Sequence, residues 1–323
     1  MSNPGSGVAR IRYHVTRRRL SPPLGFVHMP KAGGTALMAE MDAVLRPRLR
    51  VGGWDASQTG GFSDFDSMQA AFRQCIARSP DDLPIDADFI AGHYALSTIV
   101  QRFPAARKMT ILREPRSRLM SLWHYFRTYS DSVIAGYGGW GEQLAISRRS
   151  FHEFLSTSSL ACITDNAMLR LVLWPHRAIP VEDFIAPQDD QGLIAVAIAR
   201  LDEFDFVDII ENGAMRARLR QWLQANWGRT IWSNVKRLVN GPPRINDNAA
   251  RRSAWPLAQG MSGELSSEAQ ELLARSVRLD RVLWRRVAGK VFNDQLDIVE
   301  ASASERFIRK IDRLYRDRLD PAR

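Results

Sequence analysis

Apolar and polar positions follow two different periods along the chain, and the switches between them mark its elements. Leu24-Gly25-Phe26-Val27-His28-Met29 is a short apolar run stopped by Pro30, which predicts a buried strand. After Gly33-Gly34, the apolar residues Leu37, Met38, Met41, Val44 and Leu45 recur at helical spacing, so the segment predicts strand, glycine turn and helix. The Gly- and Asp-rich stretch Val51–Asp66 reads as a loop. Asp88–His93 and Lys108–Leu112 predict two more strands, the latter followed by Pro115 in the first turn of a helix with Leu119, Leu122, Trp123 and Phe126 on its apolar face. Ser150 and Glu153 form a capping-box pattern before another helix. Further helices are expected around Asn166–Trp174, Gln191–Glu203 and Ala214–Trp227, with the alternating Phe204–Ile210 as a strand between the last two. Gly241-Pro242-Pro243 marks a loop, a long helix is expected over Ser267–Val287, and an amphipathic one over Glu305–Leu319. Alternating strands and helices predict an α/β fold with a mainly parallel sheet. One domain over 23–303 is expected, with a flexible basic arm at 1–22 and a basic amphipathic helix at 304–323.

Composition narrows the class. With 323 residues, 45% hydrophobic and 25% charged, the chain is neither disordered nor collagen-like nor of low complexity. Two cysteines, Cys75 and Cys162, are too few for a disulfide framework or a cysteine-rich zinc site and suit a reducing compartment. No stretch approaches the ~20 apolar residues of a membrane span. The basic N-terminus lacks the apolar core and cleavage site of a secretory signal. These features predict a cytoplasmic protein.

The net charge of +10 is loaded on the ends: residues 1–20 carry +5 and residues 304–323 carry +3, which leaves +2 for 21–303. Such a body is not a basic platform for nucleic acid. The basic ends, including Arg306, Lys310 and Arg313, are the surfaces that could make peripheral contact with a membrane.

Two segments carry candidate chemistry. In His28-Met29-Pro30-Lys31-Ala32-Gly33-Gly34-Thr35, backbone N–H groups at the start of a helix can form an anion nest. The glycines let backbone approach an oxyanion, Lys31 adds a point charge and Thr35 a hydroxyl. The lysine precedes the glycines, so this is not the nucleoside-triphosphate loop, and no magnesium is expected on Thr35. In Thr110–Ser121, Arg113 lies at a strand end with Ser121 two helical turns on; a guanidinium and a hydroxyl so placed can share a phosphate.

Together these segments resemble the PAPS-dependent sulfotransferases, especially the carbohydrate branch with heparan sulfate and uronyl 2-O-sulfotransferases. The resemblance implies a P-loop-like three-layer fold. It implies that Lys31, Ala32, Gly33, Gly34 and Thr35 hold the 5′-phosphosulfate, and that Arg113 and Ser121 hold the 3′-phosphate. Gly92-His93 resembles the family's Gly-His element, which makes His93 the expected base. Asp165-Asn166-Ala167-Met168-Leu169-Arg170 resembles an Asp-Asn-x-x-x-Arg segment, with Asn166 and Arg170 as expected contacts to cofactor or acceptor. Phe204–Val207 and Leu279-Asp280-Arg281-Val282-Leu283-Trp284 resemble later elements, so the likeness spans 24–290 in order. Lys236–Arg244 loosely resembles the cofactor-covering loop, with Arg237 and Arg244 as its candidate contacts. Ala32 stands where the family more usually has Thr, and Glu114 where it has Asp.

The activity so implied moves a sulfuryl group from PAPS, released as PAP, to a hydroxyl of a carbohydrate or glycolipid, with no metal required. Lys31 would neutralise charge on the leaving phosphate, and His93, with an ordinary pKa near ~6.5, would take the acceptor proton. Gly52–Phe65 and Ser130–Gly141 are the loops expected to set acceptor specificity, and Trp54, Trp140 and Trp255 are candidates to stack on sugar or adenine. The competing readings are an atypical P-loop kinase, which would need magnesium and ATP, and a non-catalytic adaptor that binds anionic polymers through its basic ends.

Overall fold

The computed structural model describes residues 10–12, 19–61, 64–231 and 260–319. Its strands are β1 (Arg10–Arg12), β2 (Leu24–Val27), β3 (Leu49–Val51), β4 (Trp54–Asp55), β5 (Ile76–Ala77), β6 (Phe89–Gly92), β7 (Arg107–Leu112) and β8 (Phe206–Ile209). β2 is buried at every position because it lies inside the sheet, whose order is β1-β3-β6-β2-β7-β8. The five strands from β3 to β8 run parallel, and β1 pairs antiparallel with β3 at the edge. Parallel strands covered on both faces read as apolar runs, which is why β2, β6 and the end of β7 stand out in the sequence.

The helices connecting the early strands are α1 (Gly34–Leu45), α2 (Ala70–Arg73) and α3 (Leu96–Arg102). The long passage from β7 to β8 holds α4 (Pro115–Phe126), α5 (Asp131–Gly136), α6 (Gly139–Ala145), α7 (Phe151–Ser156), α8 (Ala161–Thr164), α9 (Ala167–Leu173) and α10 (Asp190–Leu201). After β8 come α11 (Met215–Ile231), α12 (Gly260–Gly263), α13 (Ser267–Ser276), α14 (Arg278–Phe292) and α15 (Leu296–Leu319).

Alternate strand residues sort onto two faces. Leu24, Phe26, Phe89, Ala91, Met109 and Ile111 pack with Leu37 and Met41 of α1 and Leu219 and Leu223 of α11. Val27, Ile90, Leu112 and Ile209 pack instead with α3, α9, α10 and α14. A second body of apolar side chains, including Trp123, Phe151, Phe154, Leu273 and Ile311, joins α4, α7, α13 and α15 beside the sheet. Among the described residues, no helix is long and apolar enough to cross a membrane.

Several elements differ from the sequence reading, among them β4 within the expected loop Val51–Asp66 and α5 and the start of α6 within the expected loop Ser130–Gly141. Leu49–Val51 ends where a loop was expected to begin, yet it forms a strand because β6 offers it a parallel partner and buried Asp88 accepts from its Leu49 N–H at 2.8 Å. Within the stretch read as a flexible arm, Arg10–Arg12 pair with β3, and Leu20 is buried with its N–H on Asp88. The long helix expected over Ser267–Val287 breaks at Val277 (φ −119°, ψ 9°). Asn166 fills that break: its N–H donates to the Ser276 carbonyl at 2.6 Å, and its Oδ1 accepts from the Leu279 N–H at 2.8 Å.

The last helix starts at Leu296 rather than in the 304–305 region, after Asn293 turns the chain at φ 45°. It is not an appendage. Ala303, Phe307, Ile311 and Tyr315 form a buried stripe at four-residue spacing. Burying Phe307 and Ile311 alone supplies about 1.5–3 kcal/mol each, enough to dock a helix that is otherwise charged.

Candidate active site

β2, β6 and β7 lie side by side and end at the same edge of the sheet, so the residues that follow them, His28, His93 and Arg113, come together. That edge, outside the carboxyl ends of parallel strands, is where α/β sheets bind ligands. Here it opens on a cavity of about 640 Å³. Lys31, Gly33, Gly34, Thr35, His93, Arg113 and Ser121 all line it, while Ala32 is buried behind the loop with its N–H on the Met29 carbonyl. Three segments up to 90 positions apart in sequence therefore meet in one place.

The turn after β2 is shaped for close approach. Lys31 (φ 68°) and Gly33 (φ 73°) both adopt the left-handed region, which turns the backbone sharply into α1. At Gly34 any Cβ would collide with the His28 ring, so only glycine fits. Helix α1 has no side-chain cap and no acid in its first turn, which leaves its N-terminal N–H groups and dipole directed at the cavity. The neighbouring α4 is built the opposite way. Glu114 is fully buried and accepts from the N–H groups of Arg116 and Ser117 at 2.8 Å each, so that helix carries its own anion. The carboxylate also accepts from Ser304 Oγ of α15 at 2.8 Å.

Arg113 is held rather than free to wander. Its Nη1 donates to the Lys31 carbonyl at 2.9 Å and its Nε to Ser117 Oγ at 3.2 Å, with the guanidinium 5.6 Å from the Phe307 ring. Burial weakens its hold on the proton, but a guanidinium starts so high that it stays charged. Lys31 Nζ sits 3.9 Å from the centroid of Tyr125, a cation–π contact that holds the ammonium over the cavity wall.

The two histidines stack at 4.4 Å and 28° between ring planes. His93 Nδ1 lies 2.7 Å from the His28 carbonyl, which can only accept, so Nδ1 carries the hydrogen and Nε2 is the unprotonated nitrogen. Burial lowers the His93 pKa, and Lys31 lowers it further, partly opposed by that hydrogen bond. His28 falls well below 6.5, first through burial and then through His93 and Lys31, and neither of its ring nitrogens has a hydrogen-bond partner among the described residues. Burial thus favours the neutral form of both rings, which leaves the Nε2 lone pair of His93 to take a proton.

Asn166 and Arg170 are placed elsewhere. Both are fully buried and neither lines the cavity. Arg170 donates to Asp165 O at 2.8 Å, Pro180 O at 2.6 Å, Asp183 O at 2.7 Å and Asp165 Oδ2 at 3.1 Å. Asp280 accepts from the Met168 and Leu169 N–H groups at the start of α9, at 3.0 and 2.8 Å, and burial pushes its pKa up to about 6. Arg237, Arg244 and Trp255 lie outside the described residues.

The cavity also has members that residue type alone did not single out. Tyr125, Tyr129 and Tyr137 line it, beside the expected stacking candidates Trp54 and Trp140, which lie in β4 and α6 rather than in loops. Tyr125 was legible in one respect: it stands four residues after Ser121, on the same face of α4. Gln58 lines the cavity with its Nε2 buried and without a partner. Lys310, read from sequence as a residue that could meet a membrane, reaches the cavity from α15. Only its tertiary neighbours reveal that role.

No family model matches the chain, and no curated protein or solved structure does either.

Proposed function

We propose that the cavity binds PAPS and transfers its sulfuryl group to an acceptor hydroxyl, on a carbohydrate or glycolipid, and that the sheet is of the P-loop-like kind. The observation that carries this reading is the meeting of an uncapped helix N-terminus, Lys31, Arg113, Ser121 and an Nε2-basic histidine around one cavity. Lys31 and the N–H groups of the turn suit the phosphosulfate, and Arg113 with Ser121 suits the 3′-phosphate. The loop fits such a group because Lys31 and Gly33 turn the backbone sharply into α1 and α1 lacks an anion of its own.

In the transfer, His93 Nε2 accepts the proton of the acceptor hydroxyl as that oxygen bonds to sulfur. The bond from sulfur to the bridging phosphate oxygen breaks, and its electron pair stays on PAP. Lys31 stabilises the charge that grows on that oxygen, a contact worth more in the transition state than in the ground state. In-line geometry and charge control are the requirements shared with phosphoryl transfer.

The test is calorimetry of PAP on the full chain, followed by labelled sulfate transfer from PAPS. PAP is expected to bind without magnesium. Lys31→Ala is expected to lower turnover about 10²–10³-fold and His93→Ala about 10²–10⁴-fold, both as folded proteins. Absence of PAP binding, or full turnover by folded Lys31→Ala, overturns the reading.

A further inference from the structure

Resting on the transferase reading above, we propose that His28 is a positioning residue whose imidazole is the spacer between the donor loop and the base, and that position 34 is glycine in order to seat that ring. Different parts of one side chain make the two contacts. Its face stacks on His93, with centroids 4.4 Å apart and 28° between planes. Its edge abuts the start of α1, where the three atoms nearest to any Cβ built on Gly34 are Nε2, Cδ2 and Cε1 of His28. The Phe26 ring lies 5.3 Å away at 34°, so the imidazole also rests on the core.

The backbone of His28 holds the same neighbours. Its N–H donates to the Gly92 carbonyl at 3.0 Å, and its own carbonyl faces His93 Nδ1 at 2.7 Å. His28 is thus tied to the end of β6, while its ring bears on the first residue of α1. Both ring nitrogens are inaccessible to solvent, so the ring acts on its neighbours through its shape. The two glycines of the turn then have different reasons. Gly33 adopts φ 73°, which strains any other residue, whereas Gly34 lies inside α1 and outside the left-handed region, where alanine is at ease. What bars a methyl from Gly34 is the imidazole. Transfer needs the acceptor oxygen, the sulfur and the leaving oxygen nearly in line, and a misplacement of about 1 Å costs about 10²-fold in rate. A rigid ring wedged between the loop that holds the donor and the histidine that takes the proton sets that separation.

The experiment compares the full chain with His28→Ala, Gly34→Ala and the double variant, by PAP calorimetry and by the nitrogen NMR signals of the His93 imidazole, assigned with His93→Ala. Neither readout needs an acceptor. Gly34→Ala should weaken PAP at least about tenfold, as a methyl forced into a packed contact predicts. In the double variant the methyl enters the room that the ring has left, and PAP affinity should return to within about threefold of the wild-type chain. The His93 signals report on the other contact. In the wild type Nδ1 carries the hydrogen and Nε2 does not, so the two signals lie far apart. In His28→Ala and in the double variant they should move toward each other, because the unsupported ring pivots away from the carbonyl of residue 28. Gly34→Ala keeps both histidines and should also move these signals, so it carries the test if His28→Ala does not fold. A double variant that binds PAP no better than Gly34→Ala, or His93 signals in the folded variants that match the wild type, overturns the proposal, while PAP binding by the wild-type chain leaves the transferase reading standing. Absence of PAP binding by the wild-type chain removes both.

Discussion

Two polar clusters of this molecule are each built around a buried arginine and have opposite fates. One is Lys31, His93, Arg113 and Ser121 at the sheet edge; the other is Asp165, Asn166, Arg170 and Asp280 in the core. In the second, the Arg170 guanidinium meets three carbonyls and a carboxylate, Asn166 ties α9 to the break at Val277, and Asp280 caps the start of α9. Its hydrogen bonds are spent inside the fold. In the first, an open helix end, the Nε2 lone pair of His93 and the ring nitrogens of His28 have their partners still to find. An arginine alone does not separate a ligand contact from an internal strut, since Arg113 and Arg170 are both hydrogen-bonded; what differs is that Arg113 lines a cavity beside an uncapped helix end and Arg170 does not.

The hardest blow to that contrast would come from Arg170→Ala. Arg170→Ala removes four buried hydrogen bonds and leaves Arg278, at 3.6 Å, as the cation beside Asp165, so a loss of about 3–5 kcal/mol is expected in chemical denaturation. PAP affinity of the folded fraction should be unchanged, and a protein that kept its stability but lost PAP binding would place Arg170 in the site after all.

The clusters should also titrate in opposite senses. His28 and His93 have folded pKa values below 6.5, so the unfolded chain binds more protons there, and stability falls as pH drops below about 6.5. Asp280 has its folded pKa raised from 3.8 to about 6, so its contribution is full below about pH 4 and is lost as pH rises toward 6. Asp280→Asn should flatten the slope of stability between pH 4 and 6 in urea melts, and an unaltered slope would refute the assignment. In turnover, the acid limb of kcat/KM for PAPS should lie below pH 6.5, because burial and Lys31 depress His93 in the free protein. A limb above 7 would remove His93 as the base.

The smallest effect sharpens the border of the open cluster. Lys310→Ala should weaken PAP severalfold and reduce the dependence of binding on salt, as expected for one exposed cation, about 0.5–1 kcal/mol. Arg309→Ala, which alters a neighbouring residue outside the cavity lining, should do neither.

Much of this was legible in the sequence, for identifiable reasons. The parallel strands β2, β6 and β7 read as apolar runs, and the glycine turn announced itself because Gly33 and Gly34 have conformational and steric duties. The Ser150–Glu153 capping box forms as its spacing predicts, since both of its bonds are local. What escaped depends on distant partners. Leu49–Val51 is too short to show a period and owes its strand to β6; the break at Val277 owes its place to Asn166 more than a hundred residues earlier. Lys310 looks like any surface lysine until Phe307 and Ile311 fix which way its helix lies.

That dependence on α15 has a consequence for how the molecule is made. Lys31, His93 and Arg113 leave the ribosome early, but Ser304 reaches Glu114 and Tyr315 reaches His124 only when nearly every described residue has been synthesised. Until then the apolar face of α4 lacks the cover that α15 gives it, which is the kind of exposed surface that draws chaperones to a nascent chain. A stalled ribosome that displayed only the first two thirds of the polypeptide would present the reactive groups without the roof that completes their chamber.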